Sequence, residues 1–228
     1  SNPVEENNDV LCFMTGQDDI EISCAMLEDK LTQVYAQAVT ETPMTTTDEK
    51  ENKNFVILPL YSTLSPKKQA LVFQKFPGKR KIIFCTNIAE TSITIDGIKF
   101  VVDAGFHKLK LYNSKIGLNV LKTVPISKDM SVQRQGRAGR TQPGVVYKMY
   151  TESCFNFELL KNSIPEIKRT NLSNVLLMLL SAQEGSSNLQ ENHNSVEKIL
   201  KFPFMEKPSK LTLLSSFLEL YNLQAVDN

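Results

Sequence analysis

The chain has 228 residues, 41% hydrophobic and 22% charged, an ordinary balance for one large globular domain or two small ones. No apolar run approaches the ~18–20 residues of a membrane span. Its net charge of +1 argues against a histone-like arm or acidic tail, yet hides a segregation: residues 1–53 hold 12 acidic and 3 basic side chains, 54–140 hold 4 and 15, and 141–228 hold 9 and 8.

In chain order, residues 10–14 form a short apolar run ending at Thr15-Gly16, a strand and turn. Asp18 or Asp19 then caps a helix carrying Ile20, Cys24, Leu27, Leu31 and Val34 at helical spacing. Residues 40–54 are polar and Thr-rich, and read as a loop. Residues 55–60 are a second strand. Ser65-Pro66 opens a helix with proline at its first position, bearing Ala70, Leu71 and Phe73. Residues 81–85 and 99–102 are two more strands, and the alternation predicts a doubly wound α/β parallel sheet. From 106 to 124, basic and apolar residues interleave around Asn113-Ser114-Lys115-Ile116-Gly117, a projecting β-hairpin. A helix over 128–135 and a strand over 145–150 follow. Beyond them the chain turns mostly helical, with a stripe of Leu172, Val175, Leu176, Leu179 and Leu180, a polar loop over 183–195 and a last helix over 211–223. A boundary near residue 155 divides domains 1–155 and 156–228.

Cysteines Cys12, Cys24, Cys85 and Cys154 lie too far apart for a zinc knuckle or disulfide framework, which favours a reduced intracellular compartment. Two histidines, His107 and His193, do not make a metal site, and none is expected. The chemistry concentrates in two segments. Gln133-Arg134-Gln135-Gly136-Arg137-Ala138-Gly139-Arg140 places Arg137 and Arg140 three apart among small residues, so both guanidiniums share one side of a helical turn that a ligand can approach. Guanidinium binds phosphate bidentately, and paired arginines can stabilise a transferring phosphoryl group. An arginine pair alone would read as a solvated helix end; the full octapeptide does not. The second segment, 86–98, follows a strand directly, where open α/β sheets bind ligands. It offers Thr86, Asn87, Thr91, Ser92 and Thr94 as phosphate partners, with Glu90 and Asp96 as carboxylates.

Together these segments resemble motifs V and VI of the DEAH-box RNA helicases of superfamily 2. The stretches 13–21, 58–64, 101–106 with the hairpin, and 164–172 resemble that family's motif IV region, its next strand and loop, the connection between motifs V and VI, and the lead-in to its winged-helix domain. The resemblance implies a second RecA-like lobe over 1–155 and the start of a winged-helix domain over 156–228. Gln133, Arg137 and Arg140 would face the γ-phosphate of ATP, with Arg140 as the arginine finger. Asp96 would hold the ribose with Thr94 nearby, Ser92 would sense nucleotide state, and Phe73 would stack on adenine; Phe73 reads equally as a core residue. Thr86 and Asn87 would touch RNA phosphates, and the hairpin with Lys108, Lys110 and Lys115 would be a strand-separating wedge. Nine basic residues between 99 and 140, Arg134 included, fit a phosphate-tracking surface. A second patch, Lys67, Lys68, Lys75, Lys79, Arg80 and Lys81, reads as solvated.

Nothing matches the P-loop pattern G-x-x-x-x-G-K-S/T, and no Asp-Glu-Ala-His tetrad occurs. In the family both belong to the first RecA-like lobe, expected before residue 1 together with the Mg²⁺ ligands, so this chain alone is expected to be inactive. Two residues depart from the family's usual pattern: Gln135 stands where many members have Ala, and Ala104 where many have Pro. The expected partners are ATP, RNA, the first lobe and an activating protein, in a nuclear or nucleolar setting of splicing or ribosome biogenesis. Two alternatives stand beside this reading. One is a non-catalytic RNA- or protein-binding module keeping the lobe fold, for which Gln133, Arg137 and Arg140 together have no use. The other is an unrelated doubly wound enzyme working through Glu90 or Asp103.

Overall fold

The computed structural model describes residues 8–41, 54–140, 143–184 and 199–226. The predicted polar loops fall largely on 42–53 and 185–198, outside the described residues. The chain divides into two units. One joins the stretch up to Lys108 with Thr123–Ser163; the other joins Leu109–Lys122 with the chain from Ile164.

The first unit is built on a five-stranded parallel sheet of β1 (Asp9–Phe13), β2 (Phe55–Leu60), β3 (Arg80–Cys85), β4 (Ile98–Asp103) and β7 (Val145–Lys148). The spatial order is β2-β3-β1-β4-β7, so the chain crosses over between non-neighbouring strands, the doubly wound α/β arrangement expected. The register aligns the strand ends. Leu60 pairs with Cys85, Cys85 and Asp103 each pair with Phe13, and Asp103 pairs with Lys148. All the carboxyl ends therefore meet along one rim.

The period-2 alternation of strands decides what is buried. Leu11, Phe13, Leu58, Leu60, Ile83, Cys85 and Val101 point to one face and pack there with Val72, Ala89, Ile95 and Ala138. Extending the same alternation puts Asp9 and Lys81 at the near end of this face and Asp103 at its far end, all buried. Each buried carboxylate has a cation: Lys81 Nζ lies 3.3 Å from Asp9, and Arg134 lies 2.6 Å from Asp103. Lys81 therefore leaves the solvated patch predicted for it.

Helix α1 (Gln17–Glu41) is longer than the strands it follows. Twenty-five residues at 1.5 Å rise span roughly 37 Å, about twice a six-residue strand. Its apolar stripe is accordingly buried only at the start. Ile20 packs with Tyr61 and Leu64, Cys24, Leu27 and Leu31 are half-buried, and Val34 is exposed. The helix after Ser65 is short, α2 (Pro66–Ala70), and runs into a 3-10 turn at Leu71–Phe73. Val72 fills the core there and Phe73 points out, 54% exposed. The single turn α3 is Ile88–Thr91, and α4 is Lys128–Gln135, at the predicted bounds.

Strands β5 (Phe106–Asn113) and β6 (Leu118–Pro125) form the hairpin, with Gly117 taking the positive φ its turn needs. Its base groups with the first unit and its outer part with the second. In the second unit, the Arg169 carbonyl accepts the Tyr112 amide, and its guanidinium donates to the Lys110 carbonyl. Helices α5 (Ser173–Glu184) and α6 (Lys210–Asn222) pack through Leu172, Leu176, Leu213 and Leu220. Val175, expected in that stripe, is 40% exposed. Glu219 fastens the pair by accepting hydrogen bonds from Asn171 (2.6 Å) and Ser173 (2.7 Å).

Candidate functional site

The 86–97 segment starts at the carboxyl rim and finishes at the opposite end of the sheet. Thr86 follows Cys85, and its amide donates to the Leu60 carbonyl at the rim. Gly97 precedes β4, and its carbonyl accepts the amide of Asp9, the first residue of β1. The sequence reading placed the whole loop at the carboxyl ends; only Thr86 and Asn87 are there. Asp96 stands at the strand starts. So does Phe73, since the neighbouring Val72 carbonyl accepts Lys81 Nζ (3.0 Å) beside Asp9. Ser92, Thr94, Asp96 and Asn87 are exposed, and Thr86 is half-buried.

Helix α4 lies along this segment. Ser127 is its N-cap, and Asp129 caps further by accepting from the Met130 amide (2.8 Å) and from Ser127. Partial burial raises the Asp129 carboxyl, but hydrogen bonds from Ser127, Met130 and Ser163 outweigh it and hold the group below its ordinary value. From α4 and the turn after it, three arginines spaced three apart reach across to 86–97.

Arg134 is fully buried. Its Nε donates to Glu90 (3.1 Å), one terminal nitrogen to Asp103 (2.6 Å), and the other to the Phe106 carbonyl at the hairpin base (3.3 Å). Its guanidinium also lies over the Phe13 ring, 4.8 Å from the centroid. Asp103 takes further hydrogen bonds from the Gly105 amide (3.0 Å) and the Tyr150 hydroxyl (3.1 Å). Burial raises the Glu90 carboxyl above its ordinary value despite the Arg134 charge, and pushes the Tyr150 hydroxyl up to about 12.

Arg137 is 7% exposed and donates to the carbonyls of Ile93 (2.7 Å) and Glu90. Burial, then the neighbouring Arg140, lower its pKa. Arg140 is exposed and donates to Thr94 Oγ1 (2.6 Å). The arginines thus step from buried hub to open surface along the segment.

Of the site residues read from the sequence, the structure joins Arg140 to Thr94 and sets Arg137 against the same loop. Gln133 is exposed on α4. Phe73 is not a core residue. Lys108 is exposed, with its stem folded over Gly16 at the start of α1. Lys110 and Lys115 lie on the outer hairpin, in the second unit. One reading is corrected: Arg134 belongs to no phosphate-tracking surface, because two carboxylates and a carbonyl hold it in the core. The same pairing removes Glu90 and Asp103 as catalytic carboxylates of an unrelated enzyme. The hub could have been foreseen from alternation in β4. With Val101 inward, Asp103 must also point inward, and a buried carboxylate requires a partner.

Two features leave room beside the arginines. A Cβ at Gly139 would meet nothing within 4 Å, and its backbone is not left-handed, so neither packing nor conformation demands glycine there. A groove of about 530 Å³ runs between α4 and β7, taking in Gly136, Gly139 and Lys148. By contrast, Gly144 is required: a Cβ there would lie 2.2 Å from the Ala138 carbonyl and 2.6 Å from that of Lys99. This close approach fixes the arginine-bearing turn against β4. Among the described residues no cluster of His, Cys, Asp or Glu is placed to hold a metal ion, and no helix is long and apolar enough to cross a membrane.

Residues 4–142 match the family described as the helicase conserved C-terminal domain. The chain is 39% identical over 225 residues to the pre-mRNA-splicing factor ATP-dependent RNA helicase prp22 of Schizosaccharomyces pombe, covering 98% of this chain and 17% of that protein. Two crystal structures of Escherichia coli HrpB, described as a DExH-box NTPase and as a DEAH/RHA helicase, superpose with TM-scores of 0.70 and 0.71. Each is 28% identical and matches 98% of this chain and 24% of its own.

Proposed function

The chain belongs to the DEAH-box RNA helicases as their C-terminal helicase domain, and from that premise we propose that it supplies the arginine finger, ribose and adenine contacts and RNA contacts of an ATP-driven RNA translocase. The observation that carries this reading is the pairing of Arg140 with Thr94 on an open surface, beside a glycine that nothing internal requires. A side chain held that way is preorganised to meet developing phosphoryl charge.

The residues present fit ATP. Arg140, Arg137 and Gln133 would face its γ-phosphate and Ser92 would respond to nucleotide state. Asp96 would hold the ribose and Phe73 the base, both from the strand starts. ATP supplies the free energy that its hydrolysis releases. Thr86 and Asn87 at the opposite rim, with Lys108, Lys110 and Lys115 on the hairpin, would contact RNA phosphates. The P-loop lysine, the Mg²⁺ ligands and the water-activating carboxylate would come from a first RecA-like lobe of a longer protein. Residues 156–228 would be the start of a winged-helix domain that follows the lobe over 1–155. Likeness to a splicing factor supports a nuclear role in pre-mRNA splicing.

Steady-state hydrolysis tests the assignment. Residues 1–228 alone are expected to turn over no ATP, and the same chain joined to its P-loop lobe to show RNA-stimulated turnover. Turnover by residues 1–228 alone would overturn it.

A further inference from the structure

The two ends of the 86–97 segment lie a strand apart, roughly 17–20 Å, and on the reading above one end meets RNA and the other ATP. Between them sits α3, four residues long. A single turn has no stability of its own, because nucleating a helix costs more than its first hydrogen bond returns. Its position must be set by what grips it. Its own Ala89 is buried in the core, the Glu90 carbonyl accepts from Arg137, and the Glu90 carboxylate accepts from Arg134. Arg134 in turn holds Asp103 at the rim and the Phe106 carbonyl at the base of the hairpin. One side chain therefore fastens the α3 turn, the end of β4 and the hairpin root to the helix that leads into Arg137 and Arg140.

We propose that Glu90, held by Arg134, is a positioning residue that couples the nucleotide end of this segment to its RNA end. The inference rests on the function proposed above. Glu90 touches neither ATP nor RNA in it. Displacement of Arg140 at the strand starts passes through the α4 turn to Arg137 and Arg134, and from there through Glu90 to Asn87 and Thr86. Without the carboxylate grip, α3 is held only through the Glu90 carbonyl and Arg137, and can lag behind α4 while each end still binds its own ligand.

The test uses the protein carrying both lobes, with Glu90→Gln, which keeps the side chain's size and an acceptor oxygen but removes the charge. KM for ATP and RNA-free turnover should stay within about twofold, while RNA stimulation of turnover falls about fivefold or more, the lower end of ordinary coupling between sites. Arg134→Lys, which keeps the charge but cannot span both carboxylates, should behave likewise and serves if Glu90→Gln does not fold. Hydrogen exchange gives a second readout. In the parent, an ATP analogue with a non-hydrolysable β,γ linkage should change protection across 86–97; in the variant the change should stop short of 86–90. RNA stimulation equal to the parent's, or an equal loss with and without RNA, would overturn the proposal, the latter showing a merely structural role. Arg140→Ala separates the two ideas. If it leaves turnover intact, the functional reading fails; if it removes turnover while Glu90→Gln keeps full RNA stimulation, only the coupling fails.

Discussion

Replacing Arg134 by Met removes the cation shared by two buried carboxylates and leaves a side chain of similar length in its place. Asp103 keeps the hydrogen bonds from the Gly105 amide and the Tyr150 hydroxyl. Glu90 loses its Arg134 bond in a site where its side chain is only 6% exposed. Breaking a buried pair by removing one partner costs about 3–5 kcal/mol. Glu90 can limit its share by taking up a proton. For a carboxyl with an ordinary pKa near 4.3, at about 1.36 kcal/mol per pH unit, that costs roughly 3.7 kcal/mol at pH 7 and about 1 kcal/mol at pH 5. The penalty of Arg134→Met should therefore be about 3–5 kcal/mol at neutral pH and shrink by up to about 2.7 kcal/mol at pH 5. Native-state hydrogen exchange of the β1 and β4 amides, which open only with the first unit, measures it without interference from the second. A penalty below about 1 kcal/mol, or one that does not change with pH, would refute the view that Arg134 is a buried ionic hub.

Three further outcomes are expected. Gly144→Ala must push apart β7 and the turn after α4, because its Cβ has no room against two carbonyls, and should cost about 1–3 kcal/mol by the same exchange measurement. Gly139→Ala, with open space around it, should leave stability within about 0.5 kcal/mol yet lower ATP turnover in the two-lobe protein if a ligand approaches there. Acid titration of stability should separate two carboxylates by sign. Asp129 is held below its ordinary value, so its contribution is present above about pH 4 and lost as pH falls further, and Asp129→Asn should close its gap to the parent there. Glu90 is held above its ordinary value, so its cost appears as pH rises through that value, and the parent should gain on Glu90→Gln as pH falls.

Most of the fold was legible because local signals agree. Short apolar runs marked the strands, Asn-Ser and Gly marked the hairpin turn, and α4 formed at its predicted bounds. What escaped is non-local. The length of α1 against the strands decides where its apolar stripe stops being covered, and no single-helix pattern carries that ratio. The preference for Val72 over Phe73 in the core follows from a 3-10 turn after α2, which shifts the inward-facing position by one residue. In the site, spacing predicts Arg137 and Arg140 side by side and open to a ligand, but only Arg140 is exposed and Arg137 is held against the Ile93 and Glu90 carbonyls. Arg134 looked like one more cation in a basic stretch. Its burial depends on Asp103, thirty-one residues away, and Glu90, forty-four away, converging on the same core face. The descent of 86–97 from one end of the sheet to the other was likewise invisible until the strands were registered.

The central claim is that Arg140 acts on the γ-phosphate from this domain. Single-turnover ATP hydrolysis by the two-lobe protein with saturating RNA, for the parent and for Arg140→Ala, tests it most directly. The account predicts a fall in the hydrolysis rate of about 10³-fold or more, the usual worth of an arginine finger, with a much smaller change in ATP affinity. An unchanged hydrolysis rate, or a loss confined to ATP binding, would contradict it.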